Sequence, residues 1–211
     1  MVTRICEAEG RHLAEAVSAA QQVLAAGGIV AIPTDTVYGL AVRADDEEAV
    51  RKLFRAKRRP DGNPLPILLA DPADLPRAAI EVPPEAQALA DAFWPGPLTL
   101  VLPKRAEISD LVTAGNPTVG LRVPDHPVAR EVLRACESPL AVTSANLSAG
   151  SPAKEADDVR RVFSGRIELI LKAQRCPGGV ASTVVACDGP QPRILRAGPI
   201  TWAQILQALG E

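Results

Sequence analysis

Three cations stand in a row at Lys57, Arg58 and Arg59, within AKRRPDGNPLPILL. Arg offers a planar fork of donors and Lys a compact charge, and both suit phosphate oxygens. Pro60 and Pro64 follow closely and restrict the backbone, so the cluster is held between a helix end and a strand start. The plain alternative is a solvated charge run at a helix C-terminus, where cations are favoured anyway. Small hydroxyl residues recur where apolar runs end: Thr34 and Thr36 around Asp35, Thr118, Ser144 and Ser182. Tyr38 and Asn146 lie in the same polar stretches. Arg122 and Arg196 sit in short apolar segments, and an Arg there is costly unless it is paired or aimed at an anion. GxxxxGK[ST] and GxGxxG are both absent, so a nucleotide would be held without either common phosphate loop.

The elements that must carry these groups alternate between helix and strand. Leu13, Val17, Ala20 and Leu24 recur at helical spacing, and Gly27 and Gly28 end that helix. Asp45 and Glu48 predict a capped helix that delivers Lys57 to Arg59. Further helices are expected after Pro83 and Pro84, over Asp125 to Ala135, over Asp157 to Phe163, and after a Thr201–Gln204 capping box. Strands are expected at Ile29–Ile32, Leu65–Leu69, Leu98–Leu102, Thr118–Pro124, Pro139–Val142, Ile167–Leu171, Ser182–Ala186 and Arg193–Ala197. Asp71 to Pro76 reads as a polar connection. This is an α/β pattern, and ligands in such folds bind beyond strand ends.

The chain has 211 residues, enough for one sizeable core and short for two. Apolar residues make up 47% and charged residues 23%, as in a soluble globular protein. The net charge of −2 supplies no global field for nucleic acid, and 3% aromatics argue against base-stacking platforms. Cys6, Cys136, Cys176 and Cys187 have no Cys-x-x-Cys spacing and the chain has only two histidines, so no zinc site is expected. No apolar run approaches the ~18 residues of a spanning helix, and the N-terminus carries no secretory pattern, so a cytoplasmic protein without membrane attachment is expected.

PTDTVYGLA, KRRPDGNPLP, WPGPLTLVL, TVGLRVPDHP, TSANLSAGSP, STVV and ILRAGPI occur in the order seen in the YrdC family, and the chain resembles its short bacterial form. The resemblance covers roughly residues 26 to 200. It implies a single YrdC-like domain over 1–211 without a further C-terminal domain, built as a twisted mixed β-sheet with flanking helices and a concave basic cleft. It implies synthesis of L-threonylcarbamoyladenylate from L-threonine, bicarbonate and ATP with Mg2+, releasing pyrophosphate. The product would feed a downstream transferase complex that modifies adenosine in tRNA; a weak direct tRNA contact is left open. By the same resemblance Lys57 and Arg59 would grip phosphates. Asn63, Thr118, Ser144, Pro152 and Arg196 would meet the nucleotide. Thr36, Leu68, Arg122, Val142 and Ser182 would surround threonine. Many relatives carry a histidine where this chain has Leu68. Two rivals are a carbamoyl-handling domain of the hydrogenase-maturation type and a non-enzymatic RNA-binding module.

Overall fold

Apolar runs and amphipathic helices alternate along the chain, and the runs assemble edge to edge. The computed structural model describes residues 1–60, 62–136, 138–147 and 150–210. Among these, the strands are β1 (Arg4–Glu7), β2 (Val30–Ile32), β3 (Gly39–Arg43), β4 (Ile67–Leu68), β5 (Leu98–Pro103), β6 (Thr118–Arg122), β7 (Leu140–Ser144), β8 (Leu169–Lys172), β9 (Thr183–Ala186) and β10 (Arg193–Arg196). They form one mixed sheet in the order β1-β8-β2-β3-β7-β4-β6-β5-β9-β10. The helices are α1 (Leu13–Ala25), α2 (Glu47–Lys57), α3 (Pro84–Phe93), α4 (Asp110–Thr113), α5 (Pro127–Ala135), α6 (Ala156–Phe163) and α7 (Trp202–Leu209). None of the described helices is long and apolar enough to cross a membrane.

Alternation along each strand decides which layer a residue joins. Leu40, Ile67, Leu100, Leu121, Ile170 and Val185 point to one side, where Leu53, Leu89, Phe163 and Ile205 of α2, α3, α6 and α7 cover them. Val30, Ile32, Ala41, Leu140, Leu169 and Leu171 point to the other side and meet α1 and α5 through Leu24, Val128 and Val132. Burying each such side chain contributes about 1.5–3 kcal/mol. The second core reaches β2, β3, β4, β7 and β8, and none of its described members lies on β5, β6, β9 or β10. That half of the second face is bare, and it becomes the floor of the cleft.

Three local readings change. Asp46, not Asp45, caps α2: its carboxylate accepts from Ala49 N at 3.0 Å, while Asp45 pairs with Arg43 at 2.8 Å. The connection after Asp71 is a 3-10 helix, Pro72–Arg77. β1 and β3 are additional strands: β1 is mostly exposed and has no apolar run, and β3 begins directly after the polar turn that holds Thr34 and Thr36. The Thr201–Gln204 capping box stands as expected, with Gln204 N donating to Thr201 Oγ1 at 3.3 Å.

Candidate active site

The bare half of the sheet floors a cavity of about 420 Å³. On β6, Thr118, Gly120 and Arg122 line it, while the side chains of Val119 and Leu121 face the core beneath. Thr99 and Val101 come from β5, Ser182 and Val184 from the start of β9, and Leu195 and Arg196 from β10. Leu68 of β4 and Val142 and Ser144 of β7 close one side. Thr34, Thr36 and Tyr38 join from the β2–β3 loop, and Arg59 from beyond α2. Among the described residues the lining includes three arginines, Arg59, Arg122 and Arg196, and no carboxylate.

Arg122 is 6% exposed. Its Nε donates to the Gly96 carbonyl at 2.9 Å, Nη1 to Thr36 Oγ1 at 3.0 Å and Nη2 to Asp35 Oδ1 at 2.5 Å. Burial pushes the guanidinium pKa down, and the Asp35 carboxylate opposes that shift. So the buried Arg has a protein partner already, and each terminal nitrogen keeps a second N–H for a ligand. The sequence drew attention to Asp35 without pairing it to Arg122. Asp35 also accepts from Asp125 N at 3.1 Å, which ties the exit of β6 to the β2–β3 loop.

The hydroxyls of Thr34 and Thr36 are held by the loop backbone and by Arg122. Thr34 Oγ1 donates to the Val37 carbonyl at 2.6 Å. Thr34 Oγ1 also accepts from the Thr36 and Val37 backbone N–H groups, both at 3.2 Å, and lies 3.0 Å from Thr36 Oγ1. Thr36 Oγ1 accepts from Arg122.

The cationic loop divides between wall and interior. Arg58 adopts a left-handed conformation, φ 52°, and stays exposed as α2 ends. Arg59 faces the cavity, with Nε on the Asn63 carbonyl at 3.2 Å and Nη2 on the Pro64 carbonyl at 2.9 Å. Lys57 does not line the cavity. It is 1% exposed, with Nζ donating to Thr143 Oγ1 at 3.2 Å and to the Ser144 carbonyl. Burial, helped by the charge on Arg59, pushes its pKa down to about 7. The resemblance implies that Lys57 grips phosphates beside Arg59, which asks for a side chain facing the cavity. The helix instead ends with this side chain turned under β7.

At the far end, Arg196 grips the Ser182 carbonyl through Nε at 3.1 Å and Nη2 at 2.9 Å, and Nη2 also reaches Ser182 Oγ at 3.1 Å. Ser182 Oγ lies 2.8 Å from Thr99 Oγ1. Gly198 makes this approach practicable: a Cβ there would stand 2.3 Å from Thr183 N and 2.6 Å from the Ser182 carbonyl carbon.

Of the residues singled out in the sequence, Thr34, Thr36, Arg59, Leu68, Thr118, Arg122, Val142, Ser144, Ser182 and Arg196 come together in these walls. Tyr38 contributes to the wall, but its hydroxyl donates to the Leu171 carbonyl at 3.2 Å and accepts from Ala173 N at 3.3 Å, and burial raises its pKa. Asn63, Asn146 and Pro152 stand outside the lining. Asn146 supports it from behind, accepting from Ser144 Oγ at 2.5 Å and bonding the Leu147 and Gly150 carbonyls. Asp61, Ser148 and Ala149, inside two of the motifs, lie outside the described residues. Thr99, Asn116, Gly120 and Thr143 were missed. Thr99 had a visible signal, a polar residue inside the apolar run LTLVL.

The family model Sua5_yciO_yrdC, described as telomere recombination, matches residues 22–198. The chain is 43% identical over 185 residues to a threonylcarbamoyl-AMP synthase of Pyrococcus abyssi, covering 88% of this chain and 54% of that protein. It is 40% identical over 195 residues to a threonylcarbamoyl-AMP synthase of Bacillus subtilis, covering 92% and 56% respectively. The chain thus spans just over half the length of these two curated relatives. A crystal structure of P. abyssi Sua5 complexed with L-threonine superposes with a TM-score of 0.95 at 40% identity, over 99% of this chain and 62% of that one. Family model, relatives and fold agree, and the chain belongs to the Sua5/YciO/YrdC family.

Proposed function

We propose that this chain condenses L-threonine, bicarbonate and ATP to L-threonylcarbamoyl-AMP and pyrophosphate. The observation that carries the reading is the cavity itself: a wall with three arginines and no acid among its described residues, with Arg122 on β6 and Arg196 on β10 at opposite ends of the strand row. One end suits an amino-acid carboxylate, and the other a polyphosphate. The names of the relatives and the threonine complex of P. abyssi Sua5 support the same reading. Arg122 holds the threonine carboxylate, and Thr36 contacts the same molecule. Leu68, Val142 and Ser182 bound that end. Arg59 and Arg196, with Lys57 behind them, meet the phosphates. Thr118, Ser144, Asn63 and Pro152 belong to the nucleotide side.

The chemistry needs no side-chain nucleophile. The free amine of threonine and bicarbonate give a carbamate and water. A carbamate oxygen then forms a bond to the α-phosphorus, and the bond from that phosphorus to the bridging oxygen breaks, so pyrophosphate leaves with its electron pair. The chain contributes orientation and charge neutralisation. Magnesium enters as part of the nucleotide substrate: with no carboxylate in the wall and no cluster of acidic, histidine or cysteine ligands among the described residues, phosphate and water are its natural ligands. The product is an activated mixed anhydride, so a transferase acting on adenosine in tRNA is its proposed consumer. The test is pyrophosphate release with each component omitted in turn. Release should require threonine and bicarbonate together; equal release from ATP and water alone would mean a simple pyrophosphohydrolase.

A further inference from the structure

Four polar side chains cross the cavity floor on adjacent strands. Arg122 stands on β6, Thr99 on β5, Ser182 at the entry to β9 and Arg196 at the end of β10, and β6-β5-β9-β10 is the strand order. If the proposed function is right, Arg122 marks the amino-acid end and Arg196 the phosphate end. The group being made between them is a carboxylate, the one bicarbonate contributes. It bonds to threonine's nitrogen on one side and to phosphorus on the other, so it must lie over the middle of the row. The middle is Thr99 and Ser182, both less than one-twentieth exposed and 2.8 Å apart.

The proton count of this pair matches such a ligand. Ser182 Oγ accepts an N–H from Arg196, and the Thr99–Ser182 contact consumes one hydroxyl proton, whichever oxygen gives it. The second hydroxyl proton is left for the cavity. A carbamate carboxylate carries only acceptors, so it fits a pair that has a proton to give. We propose that Thr99 is a substrate-binding residue: with Ser182 it forms a shared donor for the carboxylate derived from bicarbonate.

The proposal is tested with purified protein, bicarbonate and threonine. Thr99→Val keeps the shape and removes the hydroxyl. It should raise the half-saturating bicarbonate concentration by about five-fold, as for one lost neutral hydrogen bond, because Ser182 keeps a proton to give. Threonine binding measured calorimetrically without bicarbonate should stay within about two-fold. Thr99→Ser restores the hydroxyl and should restore bicarbonate use, which also separates loss of the donor from loss of fold. Either oxygen alone can still donate, so Thr99→Val with Ser182→Ala removes the last donor and should raise the half-saturating bicarbonate concentration by more than the product of the single effects. Equal effects on threonine and bicarbonate, no effect on bicarbonate, or a double variant no worse than Ser182→Ala would each overturn the proposal. Failure of the activity reading looks different: the unaltered protein would then release pyrophosphate without needing bicarbonate.

Discussion

Arg122 and Asp35 form an ion pair with side-chain exposures of 8% and 12%, far from the exposed pairs that decorate the helices. Removing one partner of a buried pair leaves an uncompensated charge and costs about 3–5 kcal/mol. Asp35→Asn should therefore lower the urea-derived stability by about that amount and weaken threonine binding, because Arg122 loses the contact that orients it. A loss below about 1 kcal/mol would rank the pair with ordinary surface bridges. Lys57 gives a second prediction. Its pKa is about 7 in the folded chain against the usual 10.5, so the unfolded chain holds more protons between those values. This group's contribution to stability then rises with pH through that window, and the cost of burying the charge is fully present below about 7. A bound triphosphate would raise the pKa again. ATP binding near pH 7.5, just above the folded-chain value, should take up protons, detectable by calorimetry in buffers of differing ionisation heat. Lys57→Met should abolish the uptake.

At the scale of elements, the site depends on strands and turns meeting closely. Gly198 lets the chain after β10 pass against Ser182 and Thr183. Gly198→Ala should destabilise by about 1–3 kcal/mol through overpacking and should weaken nucleotide binding more than threonine binding, since Arg196 lies two residues away. Equilibrium unfolding and binding of each ligand separately would check both parts. This scale also explains what the sequence disclosed. Strands such as β2 and β7 are covered on both faces, so their apolar runs announced them. β1 sits at the sheet edge with mostly exposed side chains and left no such run, whereas β3 has the run Leu40–Val42, read as the continuation of the polar turn that it directly follows. The arginines and strand-end hydroxyls were legible because each breaks an apolar pattern. Their partners were not: Asp35 with Arg122 and Thr99 with Ser182 are pairings over 87 and 83 positions, which no local pattern encodes. The burial of Lys57 was hidden for the same reason, since β7 comes 86 positions later.

At the scale of the whole molecule, a net charge of −2 coexists with a cavity wall whose described residues include three arginines and no acid. The field is local, and salt should reveal it. Raising ionic strength from about 0.1 M to about 1 M shrinks the screening length roughly three-fold. ATP binding should weaken by about an order of magnitude over that range, while binding of zwitterionic threonine should change little. A titration of each ligand against salt distinguishes them; parallel slopes would mean that charge does not divide the cavity as described. The sheet order has one more consequence, and it concerns time. β1 finds β8 across 165 positions, and the floor needs β9 and β10 beside β5. Such distant pairings form late and slowly. During synthesis, Thr36 and Arg122, both assigned to the amino acid, leave the ribosome well before Ser182, which borders the same end, and Arg196. On that assignment a partly made chain lacks one wall of the threonine end and the arginine of β10, so the nascent protein should stay inert until its floor is complete.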